Sequence, residues 1–150
     1  MRPGVHHSAI CVGDLDASLR FYTEGLGLEV LMDRSFDGDW PTLFGARSTR
    51  LRSIFLGDPA RPDTGIVELV QFYAGVDPRP GPGPEPGPPT RGFLLLSFFV
   101  DVDDTLGRLA SLGHHDVRRI DQPAPGGSVA MAVLEDPDGV RIELVDAPGG

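Results

Sequence analysis

His7, Glu68 and Glu143 are the residues whose types and settings could do chemistry. His7 stands in VHHSAICV, Glu68 in IVELVQF and Glu143 in VRIELVD, all apolar runs of strand length. A charge carried inward from such a run is costly unless it has a partner. One imidazole and two carboxylates converging from separate strands form a donor set for a divalent cation such as Zn, Fe, Mn, Ni or Mg. Three protein donors leave positions open for a substrate's oxygens. A metal held this way polarises a carbonyl and stabilises an enolate, or brings a diol next to oxygen. The bland alternative is an exposed or hydrogen-bonded strand histidine, with glutamates on the solvent faces of amphipathic strands. Both parities around each glutamate are apolar, so the pattern leaves their faces open. His6 is the alternative imidazole, with parity opposite to His7. His114-His115 follows Gly113 in a polar turn and reads as surface. Arg50, Arg52 and Arg141 could meet a substrate carboxylate or phosphate, or simply solvate a strand face.

The elements that must position these residues come twice. Residues 5–12 read as a strand, with a turn at Gly13-Asp14 and a helix cap at Asp14 or Asp16. Leu15, Leu19, Tyr22 and Leu26 follow at helical spacing, and Gly25 and Gly27 suit the exit. Strands are expected at 28–32, 50–56 and 66–73. Segment 33–45, with Phe36, Trp40 and Phe44, predicts a loop or irregular strand whose aromatics line a pocket or anchor the loop. The second unit opens with FLLLSFFV, residues 93–100, read as a strand buried on both faces. A cap at 101–104, a helix at 105–112 and strands at 117–120, 128–134 and 140–145 follow, with turns at 122–127 and at EDPDG, 135–139. Strand, helix and three strands thus occur once on each side of residues 74–91. PRPGPGPEPGPP in that stretch is a linker of polyproline character that needs no partner of its own. The expected organisation is one α+β domain, 1–150, made of modules 5–73 and 92–146.

Composition narrows the function classes. A length of 150 residues with 40% hydrophobic content fills a real core. Lys and Arg total 13 against 22 Asp and Glu, a net charge of -9, with no basic block. Nucleic acid and anionic membrane are therefore not expected partners. Cys11 is the only cysteine, so no disulfide forms within the chain, and its apolar surroundings predict a small buried hydrophobe. No signal-like or membrane-spanning run is present, and a cytoplasmic setting is expected. There is no phosphate-binding glycine loop, activated serine motif or paired-cysteine motif.

The chain resembles the vicinal oxygen chelate superfamily, which includes glyoxalase I, bleomycin-resistance proteins and extradiol dioxygenases. The resemblance is carried by HSAICV at 7–12, DLDAS at 14–18, RFYTEGLGL at 20–28, EDPDG at 135–139 and IEL at 142–144. It implies two βαβββ modules with their sheets joined around an open cleft. It also implies metal ligands on the first and last strands of each module: His7 and Glu68 in the first, Glu143 in the second. The fourth place falls at Leu95, and leucine cannot coordinate a metal. Two readings follow. One is a metal-assisted lyase or isomerase using His7, Glu68 and Glu143, with Glu143 serving also as base and with vicinal substrate oxygens at the metal. The other is a metal-free binding or resistance protein that sequesters an aromatic or hydrophobic small molecule, with Trp40, Phe44, Leu95 and Phe99 lining the pocket. A homodimer and a small-molecule ligand are implied in both.

Overall fold

The structure, a computed structural model, describes residues 1–73, 78, 81 and 88–148. The linker expected at 74–91 lies mostly outside the described residues. The chain divides into two units, Met1–Thr23 with Gly27–Arg79 and Glu24–Leu26 with Pro80–Gly150.

Unit 1 begins with β1 (His7–Cys11) and α1 (Leu15–Arg20). Asp14 caps α1, its carboxylate accepting from the Ala17 amide at 3.1 Å. That satisfies one of the amides a helix start leaves without a partner. The helical pattern then continues through a π-helical turn, Phe21–Gly25. Next come β2 (Glu29–Asp37), α2 (Trp40–Phe44), β3 (Arg50–Gly57) and β4 (Ile66–Phe72). The strand order is β1-β4-β3-β2, with β1 parallel to β4 and the other pairs antiparallel.

Unit 2 repeats the plan. It contains β5 (Leu96–Val100), α3 (Val102–Ser111), β6 (Arg118–Ala124), β7 (Gly127–Glu135) and β8 (Arg141–Asp146), in the order β5-β8-β7-β6. Asp101 caps α3 as Asp14 caps α1, accepting from the Asp104 amide at 2.9 Å.

Each sheet has one face lined by buried aliphatic side chains. In unit 1, Ile10, Ile54, Leu56, Val67 and Leu69 share that face by register, and all are buried. In unit 2 the matching set is Ala132, Leu134, Ile142 and Leu144. In unit 1, Leu51, Ser53, Ile66 and Val70 on the other face are buried as well. Each large aliphatic side chain on these faces contributes roughly 1.5–3 kcal/mol by burial. Strand side chains alternate, so a slip of one residue would send Glu68 or Glu143 into the core. The aliphatic face therefore holds both glutamates on the opposite face, where each is half-buried.

Several expectations change, among them the turn expected at 122–127, since β6 runs to Ala124, and the helix expected at 105–112, which starts at Val102. Cys11 is exposed, because it shares the face of His7 and Ala9. The segment at 93–100 is not buried on both faces: β5 starts at Leu96 and alternates, leaving Phe99 70% exposed. It is the end strand of its four-stranded sheet, and its apolar run does not record which face is covered. Segment 33–45 is more regular than a loop. β2 runs to Asp37, and α2 follows, capped by Asp39 and with a proline in its first turn. No helix among the described residues is long and apolar enough to cross a membrane.

Candidate functional site

Parallel pairing of β1 with β4 places Ala9 opposite Glu68 and His7 opposite Ile66. Residues two apart on a strand share a face, so His7 and Glu68 are same-face diagonal neighbours. His7 Nε2 lies 3.5 Å from Glu68 Oε1, with the side chains 39% and 16% exposed. The second carboxylate oxygen is held from below. The buried Ser53 hydroxyl donates to Glu68 Oε2 at 2.5 Å. Phe55, opposite Glu68 on β3, sets its ring against His7 with centroids 5.3 Å apart. Glu68 therefore has one oxygen committed to Ser53 and one facing an imidazole.

His6 completes the group. It precedes β1, so strand parity does not govern it, and its Nδ1 lies 2.8 Å from Nδ1 of His7. One ring must donate and the other accept. When His7 donates, its Nε2 lone pair is free on the side facing Glu68, which is the tautomer a metal ligand needs. Two ligands about 2.1 Å from one ion at a tetrahedral angle stand about 3.4 Å apart. The His7–Glu68 spacing fits that requirement, and the imidazole and carboxylate suit a borderline divalent cation.

Ser53 was not visible as a site residue in the sequence, because a serine in RLRSIFLG reads as alternation. Its measurable role is to hold Glu68. Ser53→Ala is expected to lower stability by about 1–3 kcal/mol in urea unfolding, since a half-buried carboxylate loses a charge-assisted partner. A loss below about 0.5 kcal/mol would show that the bond does not secure the glutamate.

In unit 2, Glu143 sits opposite Ser97 of β5 and Val133 of β7. The Ser97 hydroxyl donates to Glu143 Oε1 at 2.8 Å. Glu68 and Glu143 thus occupy equivalent strand positions, opposite Ala9 and Ser97 respectively. Two residues before these partners stand His7 and Leu95, so register puts leucine at the place of the imidazole. Glu143 accordingly has a hydroxyl partner where Glu68 has both a hydroxyl and a histidine. No group of three or more His, Cys, Asp and Glu side chains arranged to hold a metal occurs among the described residues.

The expected pocket aromatics are placed unit by unit. Trp40 and Phe44 stack with centroids 5.8 Å apart, and Phe44 meets Phe72 edge-on at 6.4 Å. Trp40 Nε1 donates to the Phe36 carbonyl at 3.3 Å, while Phe44 remains 59% exposed. In unit 2, Leu95 is half-buried and Phe99 is exposed. Of the arginines, Arg52 forms a two-pronged ion pair with Asp33, at 2.9 and 2.7 Å, which holds the aspartate below its ordinary pKa. Arg50 lies over the Tyr73 ring at 5.4 Å. Arg141 instead lines a cavity of about 420 Å³ in unit 2, together with both His114 and His115. The two histidines are therefore cavity residues as well as turn residues. Burial pushes the His114 imidazole below its ordinary value, partly offset by the Asp136 carboxylate.

Two βαβββ units, each closing on a strand with a glutamate opposite its aliphatic face, define a paired-module α+β protein of glyoxalase-like architecture. Residues 4–144 match the family model of the Glyoxalase/Bleomycin resistance protein/Dioxygenase superfamily, and the chain belongs to that superfamily. Over 96% of its length it is 36% identical to the lactoylglutathione lyase-like protein terB of Aspergillus terreus, spanning 75% of that protein. Over 93% of its length it is 29% identical to a probable lactoylglutathione lyase of Synechocystis, spanning 92% of it. Among solved structures, the trypanothione-dependent glyoxalase I of Leishmania major shares 29% identity at a TM-score of 0.60, with 97% of this chain and 87% of that one covered. A glyoxalase family protein from Bacillus cereus superposes at 0.71 with 21% identity, over 95% and 92% of the two chains, which is a likeness of fold.

Proposed function

We propose that the chain is a divalent-metal-assisted lyase or isomerase acting on a small substrate with vicinal oxygens, as a cytoplasmic homodimer. The observation that carries this reading is the His7–Glu68 pair, spaced as two ligands of one ion and braced by Ser53 and His6. Glu143 is the proposed third ligand and the proposed base. When bound, a divalent ion would supply Lewis acidity toward the substrate's two oxygens. The chain's own part is proton transfer. Glu143 takes the proton from the carbon next to the carbonyl and returns it to the former carbonyl carbon, while the hydroxyl proton passes to the former carbonyl oxygen. Ser97 steadies Oε1 of Glu143 during this exchange, and Oε2 has no hydrogen bond among the described residues. The homodimer reading is supported by apolar side chains left open on the sheets, Phe99 and Ile120 among them.

A second reading, metal-free sequestration of an aromatic ligand, is favoured by the Trp40–Phe44–Phe72 cluster and by Leu95 in the place of a ligand. One experiment separates the two. Native protein is expected to catalyse deuterium exchange at the carbon next to the carbonyl in a panel of α-hydroxyketones, to lose it on chelation, and to regain it with a divalent ion. Exchange that survives chelation, or absence of exchange throughout the panel, would reject the metal-assisted reading.

A further inference from the structure

The 420 Å³ cavity of unit 2 is built where the end of α3 meets the start of β6, the end of β7 and the start of β8. Its charged and titratable lining is Arg118, Arg141, His114, His115, Asp116 and Glu135. Acids outnumber bases 22 to 13 in this chain, and Arg52, Arg61, Arg108 and Arg119 each pair with a carboxylate, while exposed arginines such as Arg34 and Arg47 do not among the described residues. Arg118 and Arg141 have no ion pair or hydrogen bond with a described residue, and Arg141 is half-buried. Glu135 stands directly opposite Arg141 in the β7–β8 register, yet no ion pair within 4.0 Å joins them. A partly desolvated guanidinium that makes no ion pair is costly, and an oxyanion bound there would offset the cost.

Register ties this cavity to Glu143. Val133 is opposite Arg118 on one side and Glu143 on the other, so the three form one row across the sheet. Arg141 is the next residue along β8 on the same face as Glu143, about 7 Å away by strand rise. The two carboxylates of the lining, Asp116 and Glu135, are both exposed to water. The two arginines are the groups able to bind a planar or tetrahedral oxyanion through paired N–H donors.

We propose that this cavity is an anion subsite: the ligand taken at Glu143 carries a carboxylate or phosphate several bonds from its reacting carbon, and Arg141 and Arg118 receive it. This deepens the functional reading above by naming a substrate class, and it rests on that reading for the role of Glu143. The binding itself needs no metal, so its test is run on chelator-treated full-length protein.

Phthalate and inorganic phosphate are titrated separately, with benzyl alcohol as the neutral control, while the ring signals of His114 are followed by NMR. Saturable binding of either anion, weakening with salt and at least tenfold weaker in Arg141→Gln, is expected; the tighter anion identifies the oxyanion. Arg118→Gln is expected to weaken it too, and serves if Arg141→Gln does not fold. Arg61→Gln, an exposed arginine of unit 1, controls for general charge and should leave binding unchanged. No saturation, binding no tighter than benzyl alcohol, or equal affinity in both cavity variants would overturn the subsite. Failure of the metal reading would leave this titration unchanged, so the two outcomes are separable.

Discussion

Glu143→Gln is expected to lower exchange at the carbon next to the carbonyl by about 10²–10⁴-fold, the usual contribution of a positioned general base. Glutamine has the same shape, and its amide oxygen still accepts the Ser97 hydroxyl that Glu143 holds at 2.8 Å. The position fixed by the Ile142 and Leu144 core neighbours is also retained. What the amide cannot do is take a proton at neutral pH. The loss should therefore appear in turnover, with unfolding unchanged, in the same deuterium-exchange assay. A variant within threefold of the native rate would assign the proton transfer to another group.

Glu68→Gln carries the second large effect. It is expected to weaken binding of a divalent ion by at least about a hundredfold, a loss no smaller than second-shell changes produce at metal sites. The substitution removes a full negative charge from the oxygen that faces His7 Nε2 at 3.5 Å. It leaves a group able to accept the Ser53 hydroxyl, so the sheet has no reason to rearrange. Competition with a chromophoric chelator reads the affinity directly. Equal affinity in the variant would remove Glu68 from the ligand set.

The paired-module plan was legible because its signals are local. Apolar alternation in HSAICV and IVELVQF, the caps at Asp14 and Asp101, and EDPDG each specify an element without help from the rest of the chain. The match of His7 with Leu95 was legible for the same reason, since parallel pairing preserves the offset from each glutamate. Exposure was not. An apolar run looks alike whether or not a helix covers its second face, so Cys11 and Phe99 read as buried and are exposed. Ser53 was missed on other grounds, and His6 reads in the sequence only as an alternative to His7 rather than as its partner. Ser53 reaches Glu68 only once β3 and β4 are in register, and His6 escapes strand parity because β1 begins one residue later. α2 was readable in principle, since Asp39-Trp40-Pro41 is a cap followed by a first-turn proline.

The most direct test of the account is the metal content of full-length protein purified without an affinity tag. Elemental analysis should find about one divalent ion per chain in the native protein and nearly none in Glu68→Gln. Substoichiometric metal in the native protein, unchanged by Glu68→Gln, would contradict the metal-assisted reading and leave a cleft protein that binds its ligand without an ion.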